Sequence, residues 1–156
     1  MNYASKVQII NKMEEVYDIE FTEEQIDVLL GDLSVEIERQ KGKTFVIACK
    51  AILESIVATE PIDIKICVKT KNDLKNMIDY IRVLSNKINI KYTCKKDVIT
   101  ILNGTISIIE VKNSVPHGFL NYEYVLIDDI KDISIFTMDI IHNAIKIEVI
   151  NKDGSK

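Results

Sequence analysis

Apolar residues recur along this chain at two spacings, and the difference separates predicted helices from predicted strands. In residues 3–19 they stand three and four positions apart, as they do on one face of a helix. Thr22 and Gln25 then match the capping box that opens a helix, and Gly31-Asp32 is a typical stop. We therefore predict two N-terminal helices before the first strand.

The next segments alternate strands with helices. A short strand is predicted at 33–37, and a helix is predicted from Thr44 onward. A buried strand follows at 62–69, and the pair Thr70 and Asp73 caps another helix. This order is typical of a parallel sheet with right-handed crossovers.

The last third of the chain predicts further strands. Residues 89–94 and 97–102 have strand-like patterns, and Asn103-Gly104 between β-branched runs is a strong signal for a β-hairpin. Residues 122–127 and 144–150 are predicted as strands, and the segment between them is weakly helical. The whole pattern predicts one α/β domain over residues 1–156, with residues 1–20 as an N-terminal helical extension.

Composition supports a folded domain and limits its partners. Hydrophobic residues make up 47% of the 156 positions, which is enough apolar material for a core. The net charge is −4, so the chain lacks the basic excess of a self-sufficient nucleic-acid binder. We expect contact with double-stranded DNA to be weak or to depend on partner proteins.

Cysteine usage and hydropathy indicate a cytoplasmic protein. Cys49, Cys67 and Cys94 are widely spaced and odd in number, which favours reduced, buried thiols. The N-terminus has no apolar core of a secretion signal, and no stretch of about 18 apolar residues could span a membrane. No membrane partner is therefore expected.

The segment ERQKGKT carries the first candidate chemistry. Phosphate-binding loops have the motif G-x-x-x-x-G-K-[ST]; Gly42, Lys43 and Thr44 fill its end, whereas Ile37 replaces the first Gly. Lys43 would reach the β- and γ-phosphates, and Thr44 would ligate Mg²⁺. The alternative is that Lys41 and Lys43 are solvated charges in a turn and that Thr44 only caps the helix.

A second motif, VLIDD, ends a predicted strand on two acids. Loop-type nucleotide hydrolases place a metal-binding Asp at the carboxyl edge of a parallel sheet. Asp128 would hold Mg²⁺ and Asp129 would polarise the attacking water. The alternative is that the two acids simply end a strand, but the order and separation of the two motifs favour a site.

Together these segments resemble the ATPase domain of the large terminase subunit of tailed phages, from about Phe21 to about Gly154. That family's loop typically has Arg-Gln before x-G-K-[ST] and often lacks the first Gly, as in Arg39-Gln40-Lys41-Gly42-Lys43-Thr44. Phe21-Thr22-x-x-Gln25 lies where the family places an adenine-reading Gln. ITILNGTISIIEV is similar to the family's hairpin, and HGFLNYEYVLIDD is similar to its Walker B segment.

The resemblance implies an α/β, P-loop NTPase-like fold with a superfamily 2 helicase-like core, a mostly parallel sheet flanked by helices, and an inserted hairpin around Asn103-Gly104. It implies ATP and Mg²⁺ as cofactors and other phage motor or helicase subunits as partners, with oligomerisation and the host cytoplasm as expected context. The implied nucleotide contacts come from Gln25, Arg39, Gln40, Lys41, Gly42, Lys43 and Thr44, the metal contacts from Thr44 and Asp128, and catalysis from Asp129 and Arg39.

Departures from the family pattern leave alternatives open. The family has Asp-Glu where this chain has Asp128-Asp129, and the missing methylene sets the carboxylate back by about 1.5 Å. The sequence stops near Gly154, so we expect neither a lid nor a nuclease domain in it. The chain is then a weakly hydrolysing ATPase domain, a degenerate pseudo-ATPase that regulates a motor or helicase, or one part of a split enzyme.

Two of the candidate residues have competing roles. Arg39 either stabilises transition-state charge or forms a salt bridge with Glu36 or Glu38. Gln25 either reads adenine or completes the capping box with Thr22, and the sequence favours the cap.

Overall fold

Four helices and six strands are present in the computed structural model, which describes residues 3–31, 43–110, 124–128 and 146–150. The helices are α1 (Tyr3–Tyr17), α2 (Glu23–Leu29), α3 (Lys43–Val57) and α4 (Lys71–Lys87). The strands are β1 (Ile62–Val68), β2 (Thr93–Lys95), β3 (Val98–Ile101), β4 (Gly104–Glu110), β5 (Tyr124–Asp128) and β6 (Lys146–Ile150).

Side-chain caps fix the starts of α2 and α4 as the sequence predicts. Thr22 Oγ1 accepts a bond from the Gln25 backbone N–H at 3.2 Å, and Gln25 Oε1 accepts one from the Thr22 N–H at 2.9 Å. The Asp73 N–H likewise donates to Thr70 Oγ1 at 3.0 Å. Each bond satisfies a backbone donor that would otherwise lack a partner in the first turn.

The strands form one sheet in the order β2-β3-β4-β1-β5-β6. β4, β1, β5 and β6 are mutually parallel, whereas β2 and β3 add to one side as antiparallel strands. β1 therefore lies inside the sheet, and its residues Ile64–Val68 are buried, as expected of a strand covered on both sides. The predicted mostly parallel α/β sheet with an added hairpin is confirmed.

One apolar core joins the helices to the sheet. Ile64 and Ile66 of β1 are paired in register with Ile106 and Ile108 of β4, so these four side chains share one face. They are buried in the same cluster as Ile47 and Ile52 of α3 and Met77 and Ile81 of α4. The strong apolar faces of α3 and α4 are thus explained by burial against this face.

The hairpin turn lies one residue earlier than Asn103-Gly104. Ile101 and Gly104 are paired, so Leu102 and Asn103 form the turn, and Leu102 has the left-handed φ of 48°. Gly104 instead serves packing, because a Cβ there would collide with Ser55 of α3, including its Cα at 2.8 Å. Gly104 therefore predicted the position of the hairpin, but it is required for close packing against Ser55 and not for the conformation of the turn.

The cysteine prediction is right for two of the three residues. Cys49 and Cys67 are buried free thiols, and burial raises the pKa of both, for Cys67 to about 12. Cys94 is also free, but it is exposed because it belongs to the edge strand β2. The predicted strand at 33–37 and the weak helix at 131–143 lie outside the described residues.

Candidate functional site

The direction of α3 places its amino end at the carboxyl edge of the parallel strands. Near the other end of α3, Ser55 abuts Gly104, and the Ala58 carbonyl accepts a 2.8 Å bond from Asn103 Nδ2. Gly104 begins β4 and pairs with Ile62 at the start of β1, so the carboxyl end of α3 lies at the amino edge of the sheet.

The length of α3 carries it across the sheet. Its 15 residues span about 22 Å at 1.5 Å per residue, close to the roughly 23 Å of a seven-residue strand. Lys43, the first residue of α3, therefore begins the helix on the side where β1 and β5 end. Asp128 is the last residue of β5, the strand next to β1.

The described residues therefore include only part of the predicted site. Lys43 and Thr44 lie in the first turn of α3, Gln25 lies in the first turn of α2, and Asp128 ends β5. The other predicted residues, which are Arg39, Gln40, Lys41, Gly42 and Asp129, lie outside the described part of the chain. Their joint role as a nucleotide site stays a prediction.

Gln25 forms the capping-box contact with Thr22, which was the alternative to its predicted role in adenine recognition. Its side-chain oxygen accepts the bond from the Thr22 N–H, which completes the capping box of α2. The structure thus assigns Gln25 a local structural role. Adenine recognition by Gln25 stays a prediction.

An aromatic cluster surrounds Phe45 in the first turn of α3, and no sequence pattern predicts it. Phe45, next to Thr44, has its ring centroid 5.0 Å from that of Tyr17, 6.2 Å from Phe21 and 6.0 Å from Tyr80. Lys87 Nζ also lies 5.1 Å from the centre of the Tyr17 ring. Rings from α1, the α1–α2 connection and α4 thus converge on the start of the predicted phosphate-binding helix.

A buried ion cluster lies farther along α3, and the sequence does not predict it either. Lys50 Nζ and Lys6 Nζ both bond Glu54 Oε1, at 3.0 Å and 2.8 Å. Lys50, which is 0% exposed, also donates to the Leu29 carbonyl at 3.2 Å. The only sequence signal is a Lys and a Glu four residues apart on an otherwise apolar helix.

The electrostatics of this cluster favour the ionised carboxylate. Burial by itself would raise the pKa of Glu54. The attraction of Lys50, together with hydrogen bonds from Lys6 and Lys50, outweighs that effect, and the pKa is lowered. α1, α2 and α3 are therefore joined through one ionised carboxylate and two ammonium groups.

The oxygen donors in the predicted site suit a hard divalent cation. A threonine hydroxyl in the first helical turn and an Asp at a strand end are groups that Mg²⁺ accepts, usually with waters and substrate phosphates completing its shell. Among the described residues, no cluster of three His, Cys, Asp or Glu side chains could hold a metal ion.

No described helix is long and apolar enough to cross a bilayer.

Comparison with solved structures assigns the fold. The large terminase of bacteriophage HK97 superposes with a TM-score of 0.63 at 17% identity, over 87% of this chain and 34% of that one. The large terminase ATPase domain of Thermus phage P74-26 gives 0.59 at 11% identity, over 88% and 67%. A third large terminase, which comes from a thermophilic bacteriophage and is in complex with ADP, gives a TM-score of 0.58 at 11% identity. The match covers 84% of this chain and 38% of that one.

These likenesses show that the chain has the fold of large terminase ATPase domains, as the sequence motifs predicted. The chain spans about a third of the length of the HK97 protein. A scan against models of protein families gave no match, and neither did a comparison with curated protein sequences.

Proposed function

We propose that this chain binds Mg-ATP at the amino end of α3 and hydrolyses it slowly, as an ATPase domain related to the phage DNA-packaging motor. The observation that carries the proposal is that α3 begins at Lys43-Thr44 and β5 ends at Asp128 in a terminase-like fold. The ADP complex of the thermophilic bacteriophage's terminase supports nucleotide as the ligand class.

In this proposal the chain binds and orients the nucleotide through its phosphates. Backbone N–H groups at the start of α3 and the Lys43 ammonium would bind phosphate oxygens, aided by the positive end of the helix dipole. Arg39 would stabilise charge that develops in the transition state. Gln40, Lys41 and Gly42 would complete the loop, and Gln25 would contact adenine from the start of α2.

Thr44 and Asp128 would hold the metal in this proposal. The chemistry supplied by Mg²⁺ there would be positive charge that offsets the negative charge of the nucleotide phosphates. Asp129 would orient and polarise the attacking water. The Asp129 side chain is one methylene, or about 1.5 Å, shorter than the family's Glu. Because a misplacement of roughly 1 Å already costs about 10²-fold, we expect the chemical step to be slowed by about that factor. We therefore expect the chain to bind Mg-ATP but to hydrolyse it slowly.

Calorimetry with Mg-ATP and a phosphate-release assay test this proposal. Lys43→Ala should weaken binding at least roughly tenfold, because it removes a charge-assisted bond worth about 1.5–3 kcal/mol. Lys71→Ala, an exposed lysine at the start of α4, is the matched control and should leave binding unchanged. Absence of wild-type binding at millimolar Mg-ATP would refute the proposal.

The substitution at the end of VLIDD favours a second candidate function. With Asp129 in place of Glu, the chain would hold nucleotide without turning it over and act as a regulatory, protein-binding module for a motor or helicase. Asp129→Glu separates the two functions. A rise in turnover toward about 10²-fold supports the slow ATPase, whereas binding with no turnover in either form supports the pseudo-ATPase.

A further inference from the structure

The carboxyl end of α1 carries acidic residues where the helix dipole disfavours them. Glu14 and Glu15 stand in its last turn, which contains no basic residue, and Asp18 follows with a left-handed φ of 52°. Carboxylates at the negative end of a helix are destabilising. The Glu14 carboxylate accepts a 2.8 Å bond from the Phe21 N–H, whereas Glu15, Asp18 and Glu20 are exposed. A cationic partner would stabilise this end of α1.

Basic residues are concentrated at the end of α4. Residues 80–96 contain no acid but hold five basic side chains, those of Arg82, Lys87, Lys91, Lys95 and Lys96, in a chain of net charge −4. Lys87 lies in the last turn of α4, and Lys91 is exposed on the segment that leads into β2. In the part of the chain that the structure describes, neither of these two lysines forms an ion pair, nor does any exposed acid at the end of α1.

Apolar side chains are exposed where the two charged regions meet. Tyr80, Val83 and Lys87 share one side of α4, since they are three and four residues apart. The Lys87 ammonium lies 5.1 Å from the centre of the Tyr17 ring, so this side of α4 adjoins the end of α1. Tyr80 is 41% exposed, Val83 47%, and Ile19, close after Tyr17, 40%. Apolar groups with a polar rim are typical of protein interfaces.

We propose that the ends of α1 and α4 form a surface that binds a second copy of this chain in a two-fold symmetric dimer. The α1–α4 surface is defined by two acids, two apolar residues and two lysines, which are Glu15, Glu20, Ile19, Val83, Lys87 and Lys91. A two-fold arrangement lets the acids of each copy face the lysines of the other, so the same attraction occurs twice. This inference does not depend on nucleotide binding.

The mixture of charges favours a second copy over a nucleic acid as the partner. Phosphates attracted by the lysines would be repelled by the acids that adjoin them on the same surface. A second copy instead brings both signs of charge, and its apolar side chains cover those of the first. The α1–α4 surface is therefore complementary to itself.

Sedimentation velocity of the full chain over a range of concentrations tests the proposal. In about 50 mM salt, the wild-type chain should show an equilibrium between monomer and dimer. In about 500 mM salt, the dimer Kd should rise at least roughly tenfold, because exposed charges are then strongly screened. A dimer whose Kd does not depend on salt would overturn the charge pairing.

Charge reversal tests each half of the α1–α4 surface. Glu15→Lys/Glu20→Lys and Lys87→Glu/Lys91→Glu each place like charges opposite one another, so each should raise the Kd at least roughly tenfold. An equimolar mixture of the two variants should restore a dimer, because lysines then face carboxylates again. If circular dichroism shows that loss of the Lys87 contact with Tyr17 unfolds the chain, Lys91→Glu alone replaces the second variant.

Lys69→Glu/Lys71→Glu is the matched control. These lysines are exposed at the start of α4, about 24 Å along the helix from Lys87, so their reversal should change the Kd by less than about twofold. An effect as large as that of Lys87→Glu/Lys91→Glu would overturn the assigned surface.

Three further outcomes would contradict the dimer. One is a wild-type chain that stays monomeric at about 100 μM in low salt, which leaves the surface to another partner. Another is a mixture of the two reversed variants that stays monomeric. The third is a series of particles larger than dimers, because a head-to-tail contact does not close after two copies. None of these outcomes bears on Mg-ATP binding, so the proposed function is tested separately.

Discussion

Replacing Phe45 by leucine tests whether the aromatic cluster secures the first turn of α3. Phe45 contacts three rings, those of Tyr17, Phe21 and Tyr80, at centroid distances of 5.0, 6.2 and 6.0 Å. Leucine keeps an apolar side chain of similar reach but cannot form edge-to-face or stacked pairs. The change therefore removes the ring geometry while retaining most of the burial.

The expected loss follows from these contacts. An aromatic pair contributes about 0.5–1.5 kcal/mol beyond its buried area, so three pairs bound the loss at roughly 1.5–4.5 kcal/mol. Phe45 is only half-buried and its pairs share one ring, which favours the lower half of that range. We expect Phe45→Leu to lower the free energy of unfolding by about 2 kcal/mol, and the Tm by about 4–8 °C.

Urea unfolding followed by circular dichroism measures this loss. A double-mutant cycle of Phe45→Leu with Tyr17→Leu should give a coupling of at least about 0.5 kcal/mol. Leu102→Ala, at an exposed turn position, is the control and should stay within about 0.5 kcal/mol of wild type. A Phe45→Leu effect no larger than that of Leu102→Ala, or zero coupling to Tyr17, would contradict the assigned role of the cluster.

Two further outcomes follow from packing and charge. Gly104→Ala should lower the free energy of unfolding by roughly 2 kcal/mol or more, because the added Cβ meets Ser55. Replacing Ser55 by glycine in the same chain should recover part of this loss, as measured by urea unfolding. Wild-type stability of Gly104→Ala would refute the contact. The lowered pKa of Glu54 means that the unfolded chain binds the proton more readily, so its contribution is present above its ordinary value of 4.5 and is lost as pH falls through the folded pKa. At pH 7 we expect Glu54→Gln to unfold with a free energy about 2–4 kcal/mol lower than wild type. This difference should become smaller toward pH 3. A difference that does not change with pH would disprove the ionised pairing.

Local signals predicted most of the elements well. The capping pairs at Thr22 and Thr70 gave the starts of α2 and α4 within one residue, because cap chemistry involves only neighbours in sequence. Alternation and apolar runs located β1, β3 and β4, and a terminase-like α/β fold followed from their order and from the motifs. Asn103-Gly104 predicted the hairpin, although its turn residues are Leu102 and Asn103.

The candidate site was predictable only in part. The residue types of GKT and VLIDD predict phosphate and Mg²⁺ chemistry, and that site stays a prediction, although α3 begins at Lys43 and β5 ends at Asp128. The aromatic contacts of Phe45 and the buried contacts of Lys50, both in α3, could not be predicted from local patterns. Phe45 meets rings far away in sequence, and Lys50 bonds a carbonyl 21 residues earlier, so no local pattern records either contact.

The alternation of helices and strands, the caps and the motifs could be predicted from the amino acids, because each depends on residues a few positions apart. The folded structure was needed to explain why Gly104 must be a glycine, why Lys50 can be buried, and why Cys94 is exposed while Cys49 and Cys67 are not. Those answers depend on which segments pack together, and packing joins residues that the chain keeps apart.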